Sequence, residues 1–221
     1  MAKKILIIDD EAVFRELMNN ALTSYGYQCI IEDNPVDGIL RLKAEPCDLL
    51  LLDIMMEPLD GWDTLDHIKA LPHGRDTPII MVSAKKLQAD EVIRYGEQVD
   101  GFIPKPFVDT EFTDTITDFF SWKESLYAAV EAAKTQGVPD EICSQWVQLS
   151  RQIVAITQLK EAVGSFCLPE EGLTGEQCLA HKINLINRWI TEKSNERNAL
   201  SSRYPILTEG LTNQESNVAD N

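Results

Sequence analysis

Residues 49–63 read LLLLDIMMEPLDGWD. Four leucines in a row, apolar at every position, describe a strand buried on both faces, and a parallel sheet covered by helices meets that condition. The aspartate that ends the run, Asp53, then emerges at the carboxyl end of the strand. Similar runs stand on either side: KILII (4–8), QCIIE (28–32), PIIMV (78–82) and GFIP (101–104), separated by stretches of helical periodicity. In the first of these stretches Phe14, Leu17, Met18, Ala21, Leu22 and Tyr25 share one face, and Gly26 follows as a C-terminal stop. Five such β-α units predict a doubly wound α/β domain built on a five-stranded parallel sheet. In folds of this kind the ligand site lies at the carboxyl ends of the strands.

After Asp109 the alternation stops and only helical periodicity remains. Residues 110–136 contain neither Gly nor Pro, and Phe112, Ile116, Phe119, Phe120, Leu126 and Val130 keep a face apolar. Unbroken, that helix would be about 40 Å long. Gly137-Val138-Pro139 ends it, and Pro139-Asp140-Glu141 opens the next with acidic residues in its first turn. Ile142, Trp146, Leu149, Ile153, Ile156 and Val163 then form a 3.5-residue seam, and Thr174 with Gln177 makes a capping box for a last helix carrying Leu179, Ile183, Ile186 and Ile190. These two helices are expected to form an antiparallel hairpin in an all-α extension, with Trp122, Trp146 and Trp189 meeting in its core. The expected division is an α/β domain over 1–121, the helical extension over 122–200, and a polar, mobile tail over 201–221.

Composition narrows the function classes. The chain has 221 residues, 44% hydrophobic and 25% charged, which suits one domain of ordinary size and a smaller one. Its formal charge of −16 divides into −9 over residues 1–109 (11 Lys+Arg, 20 Asp+Glu) and −7 over 110–221 (9 and 16). Neither half has the clustered positive charge that phosphate backbones require, which argues against DNA as a partner. No apolar run reaches the roughly 18 residues of a membrane span, so a cytoplasmic protein with no membrane partner is expected. Five cysteines form no CxxC pair, which favours reduced, mostly buried thiols over a disulfide framework or a zinc site.

The strand ends carry the chemistry. Asp9-Asp10 follows KILII, Asp53 follows LLLL, Ser83-Ala84 follows PIIMV and Lys105 follows GFIP. Three carboxylates drawn to one edge repel: at about 4 Å and an effective dielectric near 20, each like-charged pair costs on the order of 4 kcal/mol. A hard divalent cation offsets that cost, and carboxylates with a carbonyl, waters and a phosphoryl oxygen form the usual Mg²⁺ arrangement. Lys105 would meet one phosphoryl oxygen and the Ser83 hydroxyl another, leaving a carboxylate as the nucleophile that forms an acyl phosphate.

IIDDE (7–11), LLLLDIMMEPLDGW (49–62), MVSAK (81–85) and DGFIPKPF (100–107) closely resemble the receiver domain of two-component response regulators over about residues 3–121. The resemblance implies a flavodoxin-like sheet of strand order 2-1-3-4-5, phosphorylated on aspartate by a sensor histidine kinase with Mg²⁺. It makes Asp53 the phosphoacceptor and places Mg²⁺ on Asp10, Asp53 and the Met55 backbone carbonyl, with Asp9 assisting directly or through water. Ser83 matches the hydroxyl that meets the phosphoryl group, Lys105 the family's lysine, Phe102 its aromatic switch residue, and Lys105-Pro106 its cis peptide. Such a domain assists its own phosphorylation and dephosphorylation without being a classical enzyme. The face formed by the fourth helix, fifth strand and fifth helix is the expected readout. Met55 and Lys85, two residues beyond Asp53 and Ser83, predict slow self-dephosphorylation. Output is expected through protein contacts or homodimerisation of the extension, toward a downstream protein the sequence does not identify. The alternatives are a phosphorylation-independent binding module of receiver fold and a DNA-binding transcriptional regulator. His181 on the last helix lacks the lysine and glycine that follow a phosphotransfer histidine, since Asn184 and Leu185 stand there.

Overall fold

The computed structural model describes residues 2–165, 167–169 and 172–209. The chain divides into two compact units, one made of residues 1–86 and 98–114, the other of 87–97 and the chain from 115 onward.

The first unit is a five-stranded sheet of order β2-β1-β3-β4-β5: β1 (Lys4–Ile8), β2 (Gln28–Glu32), β3 (Leu49–Leu52), β4 (Ile79–Ser83) and β5 (Gly101–Pro104). Every pairing is parallel. All four leucines of β3 are buried, as are all five residues of β4, so these runs mark strands covered on both faces, whereas the edge strand β2 is only partly buried and leaves Ile31 45% exposed. Ile8 pairs with Leu52 and Ser83 with Pro104, which brings Asp9, Asp53, Ser83 and Lys105 out along one edge. Helices α1 (Ala12–Ser24), α2 (Pro35–Ala44) and α3 (Gly61–Lys69) follow the first three strands, and a short α4 (Pro72–Asp76), absent from the sequence reading, begins on a proline at its first turn. The Asn34 and Asp60 side chains cap α2 and α3.

The second unit holds α5 (Ala89–Tyr95), most of α6 (Asp109–Thr135), α7 (Asp140–Glu161), α8 (Gly175–Arg203) and a short 3₁₀ turn (Pro205–Leu207). The expected division at 121/122 falls inside α6, which runs unbroken. The helix expected as the fourth, α5, groups with the extension because α7 and α8 pack on it. The Leu87 N–H donates to Ala162 O at 3.1 Å, and the Gly164 N–H returns a bond to Leu87 O at 2.9 Å. Lys182 Nζ meets Asp90 at 2.7 Å and Lys193 Nζ meets Glu97 at 2.6 Å, while Lys193 also donates to Gln152 at 2.7 Å. A Cβ on Gly96 would sit 3.0 Å from the Ile156 side chain and 3.6 Å from the Trp189 ring, so small size there permits the close approach.

The α7–α8 hairpin is antiparallel: Trp146 Nε1 donates to Ser201 Oγ at 3.0 Å at one end, and Gln152 meets Lys193 further along. Its core gathers Trp122, Leu126, Val130, Ala133, Val138, Cys143, Trp146 and Leu207. Two of the three expected tryptophans meet there; Trp189 lies beside Gly96 instead. The expected tail also needs correcting at its start. α8 continues to Arg203, and Leu207, fully buried, anchors residues 204–207 against the cluster. Average polarity concealed that one apolar anchor. Residues 210–221 of the expected tail lie outside the described residues. Among the described residues, no helix is long and apolar enough to cross a membrane.

Candidate functional site

At the end of β1 the Asp9 carboxylate is fully buried; Asp10 beside it is exposed. Asp53 ends β3 and is buried, its N–H donating to Ile8 O at 2.9 Å. One carboxylate oxygen, Oδ1, accepts from the Ile54 N–H at 2.6 Å and the Met55 N–H at 3.2 Å, which fixes the side chain's aim. The other, Oδ2, accepts from Lys105 Nζ at 3.0 Å.

Lys105 is the counter-charge. Its Nζ, buried, lies 2.7 Å from Asp9 Oδ2, 3.0 Å from Asp53 Oδ2 and 3.5 Å from Glu11 Oε1. Burial alone would lower its pKa, but the hydrogen bond to Asp9 and the charges of Asp53 and Asp9 outweigh burial and hold it above its ordinary value. Burial pushes the Asp9 carboxyl above its ordinary range, against the pull of Lys105 and with the help of Asp53's like charge. One cation therefore serves three carboxylates and does not fully compensate them.

That imbalance bears on a metal. Asp9, Asp10 and Asp53 each offer an oxygen, all within 4.8 Å of one another, the sole such cluster among the described residues. Asp9 Oδ2 is buried and meets Lys105 Nζ, a cation it shares with Asp53 and Glu11. Three carboxylates gathered at one edge around a single shared lysine fit a hard divalent cation by donor type and charge.

The remaining expected residues are placed as follows. Ser83 is buried, its hydroxyl accepting from the Lys85 N–H at 3.4 Å and its carbonyl from the Lys105 N–H at 2.9 Å. Phe102, paired with Met81 across β4 and β5, is buried at 7% exposure. The Met55 side chain is 58% exposed at the rim. Lys105-Pro106 is cis, and so is Glu57-Pro58, which the sequence reading did not single out.

Three supporting residues escaped that reading. Arg15 donates to Asp9 O at 2.7 Å; the Phe14 ring centroid lies 4.5 Å from Lys105 Nζ; Glu11 offers the lysine a third carboxylate. Phe14 had been assigned only to an apolar helix face, and its distance from Lys105 in sequence hid the cation–π contact. At Gly61 a Cβ would press on the Asp53 carbonyl and lie 2.6 Å from Ile54 Cα. Its missing side chain makes room for the backbone that carries Asp53.

Residues 5–117 match the response regulator receiver domain. The chain belongs to that family. The receiver is 36% identical over 113 residues to the transcriptional regulatory protein CpxR of Escherichia coli K12, a match covering 51% of this chain and 47% of CpxR. It thus spans about half the length of that relative. The phosphate regulon transcriptional regulatory protein PhoB of the same organism is 28% identical over 183 residues, covering 82% of this chain and 80% of PhoB. A CheY-like receiver domain structure from Methanospirillum hungatei JF-1 superimposes with a TM-score of 0.52 at 23% identity, covering 56% of this chain and 98% of that one, and shares the receiver fold.

Proposed function

We propose that this protein is a response regulator of a two-component phosphorelay: Asp53 accepts a phosphoryl group from a sensor histidine kinase, and the helical unit carries the output through protein contacts or dimerisation. The observation that carries this reading is the buried Lys105 paired to both Asp9 and Asp53 at the sheet's carboxyl edge.

In the transfer, an Asp53 carboxylate oxygen attacks phosphorus, the phosphorus–nitrogen bond of the phosphohistidine breaks, and the imidazole leaves with the electron pair. The Ile54 and Met55 N–H groups hold the nucleophile in place. Lys105, already 3.0 Å from Asp53, re-aims toward a phosphoryl oxygen as the carboxylate charge moves outward, and Ser83 donates its hydroxyl to another. Asp9, Asp10, Asp53 and the Met55 carbonyl would hold Mg²⁺, which when bound neutralises charge on the phosphoryl oxygens. Phe102 responds to the movement of Ser83. The exposed Met55 and the neighbouring Lys85 offer no group that activates water, which supports slow dephosphorylation. The reading places the protein in the cytoplasm.

For output, Leu87 follows Ser83 by four residues and is hydrogen-bonded to both Ala162 and Gly164. A pull on Ser83 toward the phosphoryl group would reach the segment that α7 and α8 hold. The α5 surface is thus engaged by the chain's own hairpin, and the readout is a change in that engagement.

Intact mass after incubation with phosphoramidate and Mg²⁺ tests the reading. Wild type should gain one phosphoryl group and Asp53→Asn none. No gain with phosphoramidate, acetyl phosphate or a cognate kinase would favour a phosphorylation-independent binding module. A second reading, transcriptional regulation, draws on the PhoB match, which extends over 183 residues and so beyond the receiver. Against it stand the acidic second half and the 13-residue connection from 162 to 174 between α7 and α8, unlike a short helix-turn-helix turn. Retention on duplex DNA at low salt by the phosphorylated protein would favour it.

A further inference from the structure

Cys167 and Cys178 lie eleven positions apart, a spacing that carries no motif, yet their sulfurs are 3.1 Å apart and not joined in a disulfide. Cys167 sits half-buried in the connection between α7 and α8, and Cys178 is buried within α8. Their separation is within about 1 Å of bonding distance.

Both sides of the contact are held. The start of α8 is fixed by a reciprocal capping box: the Thr174 N–H donates to Gln177 Oε1 at 2.9 Å and the Gln177 N–H to Thr174 Oγ1 at 3.3 Å. The Cys178 N–H follows at 2.9 Å from Thr174 O. Gly175 opens α8, and a Cβ there would lie 2.6 Å from the Cys167 carbonyl oxygen, so the glycine lets the connection lie directly on the helix start. On the other side, Gly164 is pinned to Leu87 three residues before Cys167. Among the described residues no third acidic, histidine or cysteine ligand joins the two sulfurs.

We propose that Cys167 and Cys178 form a reversible regulatory disulfide, with a low-molecular-weight disulfide such as oxidised glutathione as the oxidant. The Cys167 thiolate, the more exposed of the two, attacks the reagent; its sulfur–sulfur bond breaks and one glutathione thiolate leaves. The Cys178 thiolate then attacks the Cys167 sulfur and expels the second glutathione. Two protein thiols are oxidised, one glutathione disulfide is reduced to two glutathiones, and the two thiol protons end on them. The bond ties the connection to α8, and through Gly164 it stiffens the segment that grips Leu87. This chemistry is independent of phosphorylation at Asp53.

The test is intact mass and peptide mapping after incubation of the full chain with oxidised glutathione. Wild type should lose two hydrogen atoms with Cys167 joined to Cys178, and dithiothreitol should restore the original mass. Cys178→Ser should stop at a glutathione adduct on Cys167, and Gly175→Ala, which keeps both thiols but displaces the connection, should accumulate that adduct. A wild-type protein that stalls at the adduct, links other cysteines, or does not react overturns the proposal.

Discussion

The carboxyl edge of the sheet and the helical unit each hold buried side chains, but they are stabilised by opposite means. At the sheet edge Asp9, Asp53 and Glu11 share one lysine with Asp10 close by, and burial raises the pKa of Asp9. In the helical unit Trp122, Leu126 and Val130 of α6 join Cys143, Trp146 and Leu207 in an apolar core, and ion pairs such as Lys182–Asp90 join α8 to α5. The first region is stressed in a way that a cation relieves; the second closes an apolar core without one. A region that holds uncompensated charge is suited to chemistry, and one that closes an apolar core is suited to transmitting a change of position.

The contrast can be broken at its apolar side with the largest effect. Trp146→Ala, at a fully buried position, should destabilise the helical unit by about 3–5 kcal/mol in urea unfolding while Mg²⁺ affinity is retained. On the charged side, Mg²⁺ at 100 times its dissociation constant should raise stability by about 2.7 kcal/mol in thermal melts, an increment that chelation removes and Asp10→Asn weakens.

A subtler test removes the stress itself. Asp9 has a raised pKa in the folded state, so the folded protein binds the proton more tightly than the unfolded chain does. Ionisation of Asp9 therefore costs stability above the raised value, and the cost disappears as pH falls through it. Metal-free Asp9→Asn should accordingly be more stable than wild type at neutral pH by about 1 kcal/mol, with the gain vanishing in acid, while Mg²⁺ binding weakens. The smallest effect concerns the hairpin's edge: Thr174→Ala removes half of the α8 capping box and should cost about 0.5–1 kcal/mol without altering phosphorylation.

The two regions also differed in how far they could be read from sequence. Runs such as LLLL and PIIMV announce strands buried on both faces, and a charged or polar residue directly after each one has few places to go but the sheet's edge. Asp9, Asp10, Asp53, Ser83 and Lys105 were legible for that reason. Phe14 and Arg15 were not, because a helix face carries no mark of which strand end it overlies. The capping box at Thr174 and the seam of α7 were equally clear, since both are local. What packs on α5 was not, because Lys182–Asp90 and Lys193–Glu97 join residues about a hundred positions apart, and a lysine on a helix ordinarily faces water. The same holds for Cys167 and Cys178, eleven positions apart with no spacing rule, and for Leu207, part of a short apolar patch in a stretch that is polar on average.

Charge arriving at Asp53 is proposed to be felt at Leu87, where Ala162 and Gly164 hold it. Amide hydrogen exchange over residues 87–97, with and without beryllofluoride and Mg²⁺, tests it most directly. The claim predicts that exchange at Leu87, whose N–H is held by Ala162, changes severalfold on addition of beryllofluoride and stays unchanged in Asp53→Asn. Unaltered exchange across 87–97 in protein shown to have bound beryllofluoride would contradict it.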